Sequence, residues 1–342
     1  MKAIFLVRNG NPDTAFEVRE TPQPIPGKGD VLIKVEAFGL NYADVMARNG
    51  LYRDAPTKPF VPGYEAVGTI VGVGAEVPER HIGKRVVAFT RFGGYSEFVV
   101  SALSGIGEIE SLDAAKACAL ATQYVTAWYM TEYFGPIRKG DKVLIHSAAG
   151  GVGTALLQIC RNKGCEIFAN CGSDDKFDYV RRQGAMHVFN YRSGNYEVWL
   201  KSLLKGSALD VTFNAVGGKT FKQDFRLLGP GGRLMLFGGA ARSGKRGGFF
   251  STLAFVWRMG LVLPIGLMMR SKSLVGVNML KIADHKPEIL GECLRNVVRE
   301  VLEGRLDPHS GGKYSVENIA DAHRVLESSK TLGKIIVYWP VK

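Results

Sequence analysis

The sequence predicts an α/β protein that combines a doubly wound parallel sheet with a separate β-rich part. With 342 residues, the chain is longer than the size at which one hydrophobic core stops growing. Short apolar runs bounded by turn residues dominate the chain as far as about residue 115. Beyond residue 142, apolar strand-like runs alternate with helical periodicity, which is typical of a parallel sheet.

The β-rich part contains several short strands and one short helix. The Pro-rich cluster around residues 22–27 and Pro62–Gly63 mark turns between the strands. Gly50 is a natural C-terminal stop for the helix. The predicted elements are strands at Met1–Arg8, Val31–Gly39, Ala66–Gly72, Val86–Phe89 and Tyr95–Val100, and a helix at Tyr42–Asn49.

A helical stretch predicted at Ala114–Tyr133 leads into the second part. Its first strand, Lys142–His146, lacks polar alternation, as expected for a sheet that is buried on both faces. Helices are predicted near the end of the chain at Lys286–Glu303 and Val316–Ser328. The further strands are Glu166–Cys171, His187–Asn190, Asp210–Ala215, Arg233–Phe237, Ser273–Val277 and, last, Lys334–Trp339.

Composition argues for an ordinary globular protein of a reducing compartment. Five cysteines form no C-x-x-C pair, so neither a disulfide framework nor a zinc knuckle is indicated. The N-terminus is interrupted by Arg8 too soon for a secretory signal, and we expect a cytoplasmic location. A net charge of +12 without a nucleic-acid motif suggests an anionic cofactor and solubility, and we do not expect a nucleic-acid partner.

A Gly-rich turn at the end of Lys142–His146 is the most informative motif. Against the dinucleotide fingerprint, Ala148, Gly150 and Gly153 occupy the three glycine places. Gly150 lets the backbone approach a diphosphate, and Gly153 permits close packing of helix on strand. The helix that follows offers free N–H groups and its positive dipole end to the phosphates.

The end of the next strand favours NADPH over NADH. NAD enzymes place an acidic residue there for the ribose 2′-hydroxyl, whereas a cation accommodates a 2′-phosphate. Here the strand ends at Cys171, and Ser173 and Lys176 follow as candidate phosphate contacts. Asp174 and Asp175 leave an alternative open, because either could reach a ribose or cap a helix.

Four motifs, all in order, give the sequence a family resemblance. They are Gly-Leu-Asn-Tyr-Ala-Asp at 39–44, Pro-Gly-Tyr-Glu-Ala-Val-Gly at 62–68, Ala-Ala-Gly-Gly-Val-Gly at 148–153 and Asn-Tyr-Arg at 190–192. On these motifs the chain resembles, over essentially its whole length, the quinone oxidoreductase group of the medium-chain dehydrogenase/reductase superfamily. Residues 40–52 and Gly-Lys-Arg at 244–246 are most similar to the branch of the synaptic-vesicle amine transport protein.

The resemblance implies a fold and an assembly. It implies a GroES-like catalytic domain at 1–121 and 281–342 and a Rossmann-type NADPH-binding domain at 122–280. It also implies a substrate site in the cleft between these domains, and a homodimer joined through the cofactor domains.

Zinc is not expected. In zinc-dependent relatives, a Cys, the His of a G-H-E motif and a further Cys or acid hold the metal. The corresponding places here are Asn41, Tyr64 and the region of Gln123, and none of these is a good zinc ligand.

Five residues are catalytic candidates. The resemblance implies that Asn41 lies near the nicotinamide ribose and that Thr126 faces the carboxamide. Tyr52 and Tyr64 are candidate donors to a substrate oxygen, with packing as the alternative role. Asp44 either orients Asn41 or caps the helix at Tyr42–Asn49.

The cofactor-binding candidates follow the strand ends. Besides Asn41 and Thr126, the resemblance implies that Lys176 and Tyr191 grip the adenosine phosphate side. The remaining candidates are Ala149, Gly150, Gly151, Val152, Gly153, Ser173, Asn214, Val216, Phe237, Gly238, Gly239 and Asn278.

The apolar segment 249–269 has nearly the length that spans a bilayer. Arg258 at its midpoint and Pro264 argue against a transmembrane helix. Peripheral contact of residues 245–272 with an anionic membrane, helped by Lys245 and Arg246, is one interpretation. We favour the other, a pair of short helices that cover the substrate cleft or form a dimer contact.

The sequence therefore predicts a zinc-independent enzyme that transfers hydride from NADPH to a quinone or an α,β-unsaturated carbonyl. Without a Lewis acid, such a site would act by positioning, and the cofactor would carry the difficult step. The alternative is a membrane-associated or lipid-binding module with vestigial reductase activity.

Overall fold

The computed structural model describes residues 1–240 and 249–340. The chain divides into two compact units, which we call unit 1 (Met1–Thr126 and Met279–Lys342) and unit 2 (Ala127–Asn278). The domain boundaries after residues 121 and 280 stay a prediction.

The strands run, in chain order, β1 Lys2–Leu6, β2 Phe16–Glu20, β3 Asp30–Leu40, β4 Glu65–Val73, β5 Arg85–Phe89, β6 Phe98–Ala102, β7 Ile106–Glu108, β8 Lys142–Ile145, β9 Glu166–Cys171, β10 His187–Asn190, β11 Leu209–Asn214, β12 Leu228–Leu236, β13 Ser273–Gly276, β14 Ser310–Ser315 and β15 Lys334–Tyr338.

The helices are α1 Pro12–Ala15, α2 Tyr42–Arg48, α3 Ala114–Ala117, α4 Val125–Trp128, α5 Gly151–Asn162, α6 Phe177–Gln183, α7 Tyr196–Leu204, α8 Lys219–Leu227, α9 Phe249–Met259, α10 Pro264–Arg270, α11 Met279–His285, α12 Pro287–Leu302 and α13 Ile319–Glu327.

Unit 1 is built on a mainly antiparallel sheet in the order β14-β15-β3-β4-β5-β7, with β6 also paired to β3. The last strand of the chain, β15, lies beside β3 in this sheet, so distant parts of the sequence share one core. Phe38, Ile70, Tyr95 and Val337 belong to that core. A separate pair of strands, β1 and β2, completes the β-rich part.

Unit 2 contains a parallel sheet of six strands in the order β10-β9-β8-β11-β12-β13. Central strands β8 and β11 are almost entirely buried, which explains their continuous apolar runs. The order reverses between β8 and β11, and ligands of open α/β sheets bind outside such a point at the carboxyl ends of the strands. The predicted doubly wound parallel sheet is confirmed.

The predicted helical stretch Ala114–Tyr133 is helical over most of its length, but it is not a single regular α-helix. The segment contains α3, a π-helical turn at Leu120–Tyr124, α4 and a second π-helical turn at Tyr129–Phe134. Within it, the hydroxyl of Thr126 donates to the carbonyl of Thr122 and that of Thr131 donates to the carbonyl of Ala127. Periodicity did not reveal the change, because the apolar residues are buried in either form of helix.

The apolar segment forms two short helices, α9 and α10, as predicted. Pro264 begins the second of them, where its missing N–H costs nothing. Within residues 1–240 and 249–340, no helix has the length and apolar character needed to cross a membrane. Lys245, Arg246 and the rest of the motif at 244–246 lie outside the described residues.

Candidate active site

The Gly-rich turn of unit 2 connects β8 to α5. Ser147 adopts a left-handed backbone conformation with a φ of 53°, and its carbonyl accepts a hydrogen bond from the Gly150 N–H at 2.9 Å. Helix α5 then begins without a side-chain cap at Gly150. Its first N–H groups are therefore not taken by a capping side chain, which suits a diphosphate at this helix end.

Gly153 shows why the turn requires glycine. A Cβ at this position would lie 2.4 Å from the Ser147 carbonyl oxygen and 2.7 Å from the Ala148 backbone. At Gly150 the same Cβ would lie 3.3 Å from the Ser147 oxygen. Helix and turn thus meet backbone to backbone, and the residues fit a dinucleotide phosphate. Ala149, Gly151 and Val152 lie in the same turn and first helical residues.

Ser173, Lys176 and Tyr191 follow the carboxyl ends of neighbouring strands β9 and β10, whose last residues lie side by side. Lys176 is buried, and burial lowers its pKa while Asp175 opposes the shift. Tyr191 is 43% exposed, and its hydroxyl lies against the backbone of Gly172. The structure thus brings together the three residues predicted for the adenosine phosphate side.

Neither of the two aspartates beside Lys176 is the N-cap residue of a helix. Ser173 precedes the turn Asp174–Lys176, so both aspartates lie inside it, and their interpretation as N-cap residues is wrong. Asp174 accepts a hydrogen bond from Asn190 Nδ2 at 3.0 Å. Ribose binding by Asp174 or by Asp175 stays a prediction.

The remaining cofactor candidates of unit 2 follow β11, β12 and β13. Asn214 ends β11, and its Oδ1 accepts the N–H groups of Val216 and Gly217, both at 2.8 Å. The loop Phe237–Gly239 runs beside it, because the Phe237 N–H donates to the Asn214 carbonyl. Gly238 packs against the Ala215 carbonyl so closely that a Cβ would lie 2.6 Å away. Asn278 is exposed, beyond the end of β13.

In unit 1, Asn41 lies in a fully buried polar cluster with Glu65 and Lys334. Asn41 Nδ2 donates to Glu65 Oε1, and Lys334 Nζ donates to Asn41 Oδ1, each at 2.8 Å. Lys334 also forms an ion pair with Glu65. Both ends of the Asn41 amide are therefore held by this pair, which leaves one N–H of Nδ2 for a ligand.

Asp44 acts on the backbone of Asn41. Its Oδ2 accepts the Asn41 N–H at 2.8 Å, so the carboxyl group caps the start of α2. Burial raises the pKa of Asp44 to about 7, against the opposing effect of this hydrogen bond. This contact caps the helix, and the role of Asp44 in orienting Asn41 stays a prediction.

Tyr52 and Tyr64 meet edge to face, with ring centroids 5.9 Å apart, and Phe92 lies 5.3 Å from the Tyr64 ring. Burial, followed by the charge of Asp54, raises the pKa of Tyr52 to about 12. Burial also raises the pKa of Tyr64, with Asp44 as the next contribution. Both phenols therefore keep their protons at neutral pH and can donate hydrogen bonds. Among the described residues, no group accepts from or donates to the buried Tyr64 hydroxyl at hydrogen-bond distance.

Thr126 is buried, and its hydroxyl donates to the Thr122 carbonyl at 2.6 Å. This hydrogen bond joins the Thr126 side chain to the backbone of its own helical segment. The position of Thr126 opposite a carboxamide stays a prediction.

Sequence reasoning assigned no role to Glu65, Lys334 or Phe92. Glu65 lies inside the motif at residues 62–68. A charged residue within a family motif was therefore the signal that the sequence offered. Nothing in the local pattern around Lys334 distinguishes it from a surface lysine at a strand end.

The chemistry of the candidate ligands does not fit zinc. Asn41, Tyr64 and Gln123 offer two amides and a phenol, whereas zinc sites use thiolate, imidazole or carboxylate. Within the part of the chain that the structure describes, no three His, Cys, Asp or Glu side chains could together hold a metal ion.

Comparison with known proteins defines the class. The family model "Alcohol dehydrogenase GroES-like domain" matches residues 27–129, and "Zinc-binding dehydrogenase" matches residues 151–292. The quinone oxidoreductase of Rattus norvegicus is 31% identical over 340 residues, which cover 98% of this chain and 97% of that protein. The synaptic vesicle membrane protein VAT-1 homolog of Danio rerio is 30% identical over 338 residues, which cover 98% of this chain and 69% of that protein. A solved mycobacterial structure complexed with NADPH matches with a TM-score of 0.85 and 27% identity, covering 99% of both chains.

Fold and site thus define a medium-chain dehydrogenase/reductase with a GroES-like part and a Rossmann-type sheet, as predicted. The chain belongs to the quinone oxidoreductase group of this superfamily and is a quinone-oxidoreductase-like enzyme.

Proposed function

We propose that this protein is a zinc-independent oxidoreductase that transfers hydride from NADPH to a quinone or an α,β-unsaturated carbonyl. The observation that carries the proposal is the turn Ser147–Gly153, where helix α5 begins uncapped and packs on backbone through Gly153. The relatives named quinone oxidoreductase and the neighbour solved with NADPH support it.

Residues of unit 2 would hold the dinucleotide. The turn and the first N–H groups of α5 would bind the diphosphate, and Lys176 with Ser173 and Tyr191 would take the 2′-phosphate. When bound, NADPH supplies the hydride. A buried lysine suits a phosphate because an anion compensates its charge where little water can do so.

Residues of unit 1 would position the acceptor. Tyr52 and Tyr64 remain protonated at neutral pH and would donate hydrogen bonds to a quinone or enone oxygen. Delocalisation in a conjugated acceptor spreads the developing negative charge, so phenol donors can stabilise it without a metal. Tyr52 packs edge to face on Tyr64, and Phe92 is tilted against Tyr64, so the three rings would form an apolar wall beside a planar acceptor.

Titration of the purified protein with NADPH and with NADH tests which cofactor it binds. An activity assay with a panel of quinones and enones, in which the oxidation of NADPH is measured, then tests the acceptor. We expect tighter binding of NADPH and turnover on at least one acceptor. Lys176→Ala should raise the Kd for NADPH about 10- to 100-fold, the loss of a charge-assisted hydrogen bond, and leave that for NADH nearly unchanged. An equal loss of affinity for NADPH and for NADH would contradict the proposed contact between Lys176 and the 2′-phosphate.

Tyr52→Phe and Tyr64→Phe separate the catalytic role from packing. Each removes only a hydroxyl, and loss of a proton-donating group lowers kcat by about 100-fold in comparable sites. We expect such a fall in kcat for at least one variant, with an unchanged Kd for NADPH.

No turnover by the wild type on any acceptor would refute the reductase proposal. Activity that a zinc chelator abolishes and zinc restores would refute zinc independence.

Peripheral membrane association is a second candidate function, favoured by one surface of unit 2. Trp257 is 82% exposed, Leu261 87% and Met269 79%, with Arg258 and Arg270 exposed beside them. Apolar side chains flanked by cations suit an anionic lipid surface. One curated relative is itself named a vesicle membrane protein.

Co-sedimentation with vesicles of phosphatidylcholine and phosphatidylserine tests this second function. We expect binding that weakens in the double variant Trp257→Ser/Leu261→Ser and persists in Ile25→Ser, which replaces an equally exposed residue of unit 1. If no protein sediments with these vesicles, the segment serves as a cover or dimer contact instead. A cytoplasmic homodimer remains our expectation for the assembly.

A further inference from the structure

A buried hydrogen-bond network joins the ends of neighbouring strands in the parallel sheet. Its centre is Asp224 on α8, which is completely buried. The carboxylate accepts from His146 Nε2 at 2.9 Å, from the Tyr196 hydroxyl at 2.7 Å and from Asn214 Nδ2. Asn170 of β9 extends the network, because its Nδ2 lies 3.3 Å from His146 Nδ1.

Three hydrogen-bond donors face the Asp224 carboxylate. A carboxylate only accepts, so the imidazole Nε2 must carry the hydrogen that faces Asp224. The other ring nitrogen, Nδ1, lies within hydrogen-bond distance of the Asn170 amide, so both nitrogens of His146 have a polar partner. A buried carboxylate is costly unless it is hydrogen-bonded, and three donors meet this one.

Asp224 sets the orientation of the Asn214 amide. Nδ2 donates to Asp224 and to Thr220 Oγ1, so Oδ1 must point the other way. There it accepts the N–H groups of Val216 and Gly217 and closes the loop after β11. The shape of this loop therefore depends on a carboxylate that is not part of it.

Asp224 also holds the start of the Gly-rich turn. His146 directly precedes Ser147, the residue with left-handed backbone at which the chain leaves β8. An anchored His146 side chain fixes the direction in which the turn begins. One buried side chain is thus hydrogen-bonded to the residues that directly precede both loops, at the point where the strand order reverses.

We propose that Asp224 is a positioning residue of the cofactor site, which holds the turn Ser147–Gly153 and the loop Ala215–Gly218 in their binding geometry before the dinucleotide arrives. The inference rests on the proposed function, because a dinucleotide is the ligand expected there. Binding to preformed loops avoids the cost of ordering them, so loss of the network should weaken affinity and spare the chemical step.

The test is Asp224→Asn, which keeps the shape but replaces one acceptor oxygen by a donor that faces other donors. We expect the Kd for NADPH to rise about 10-fold, while kcat at saturating NADPH stays within about 2-fold of the wild type. Tyr196→Phe removes a single donor and should raise the Kd by a smaller factor. That variant keeps the test decisive if Asp224→Asn does not fold.

Leu200→Ala is the matched control, because Leu200 is fully buried in the core of the same unit and makes no hydrogen bond to these loops. It should lower the Tm and leave the Kd for NADPH unchanged. An Asp224→Asn protein that lowers the Tm equally, with an unchanged Kd, would show a merely structural residue and overturn the proposal.

Hydrogen exchange without cofactor separates this inference from the proposed function. The amides of Val216 and Gly217 should exchange faster in Asp224→Asn than in Leu200→Ala, whatever the protein binds. Faster exchange in a protein whose wild type binds no dinucleotide would refute the proposed function and support the control of the loops by Asp224. Unchanged exchange at these amides would overturn that control.

Discussion

Lys334 and Glu65 form an ion pair whose side chains are both completely shielded from solvent. A pair of this kind gains little over an apolar pair, but removing one partner leaves an uncompensated charge in the core. Lys334 also donates to Asn41 Oδ1, so the pair connects the core of unit 1 to a candidate catalytic residue.

Lys334→Met should therefore lower the free energy of unfolding by about 3–5 kcal/mol in urea denaturation. The double variant Lys334→Met/Glu65→Gln should recover part of this loss, since no charge is then left alone. Lys116→Met is the control: its pair with Asp307 is exposed, and the change should stay below about 1 kcal/mol. If Lys334→Met and Lys116→Met lowered the free energy of unfolding equally, burial of the Lys334–Glu65 pair would not matter for stability.

Asp44 makes stability depend on pH. Its pKa is raised from 3.8 to about 7 in the folded protein, so the folded state binds this proton more tightly than the unfolded chain does. The resulting stabilisation is complete below about pH 4 and is lost as the pH rises to about 7.

Asp44→Asn should remove this dependence, because the amide oxygen can still accept the Asn41 N–H. Urea denaturation from pH 4 to 8 should show the wild type losing up to about 4 kcal/mol relative to the variant across that window. His323, whose pKa burial lowers to about 3, contributes an opposite slope to both proteins, and the difference curve cancels it. If the unfolding free energies of the wild type and of Asp44→Asn changed in parallel with pH, Asp44 would not titrate in this range.

At the scale of elements, the junction of β8 and α5 tolerates little change. Gly153→Ala introduces a Cβ that would lie 2.4 Å from the Ser147 carbonyl oxygen, and backbone on that side cannot rotate away as a side chain would. We expect a loss of about 1–3 kcal/mol in unfolding free energy and at least about 10-fold weaker NADPH binding.

Gly266→Ala provides the comparison within another helix. A Cβ there meets nothing within 4 Å, and alanine favours a helix interior. This variant should be as stable as the wild type or more stable, by up to about 1 kcal/mol, with unchanged cofactor affinity. If Gly153→Ala behaves in the same way, the close packing at the turn is not essential.

At the scale of the whole molecule, the proposed cofactor site predicts that the stability of the protein depends on the concentration of NADPH. A ligand that binds only the folded state stabilises it by about 2.7 kcal/mol at 100 times its Kd. Differential scanning calorimetry should show that NADPH raises the Tm of the transition that includes unit 2. Lys176→Ala should lose most of this shift at the same NADPH concentration, whereas Lys116→Met should keep it.

Much of the fold was predictable because local pattern reports burial. The strands Glu166–Cys171 and His187–Asn190 were predicted with the bounds that the structure has, because each is a short run with apolar residues between turn residues. Strand β14 was missed, because its sequence Ser-Gly-Gly-Lys-Tyr-Ser carries no apolar pattern and pairing with β15 alone makes it a strand.

The sequence by itself determined the Gly-rich turn, the parallel sheet that leads into it and the family, because each depends on residues that are close along the chain. Only the tertiary structure decided what holds the site together. Glu65 and Lys334 are 269 residues apart, and Asp224 meets His146 from 78 residues away. Local periodicity shows which side chains are buried, but sheet order and helix packing decide which buried polar groups face each other.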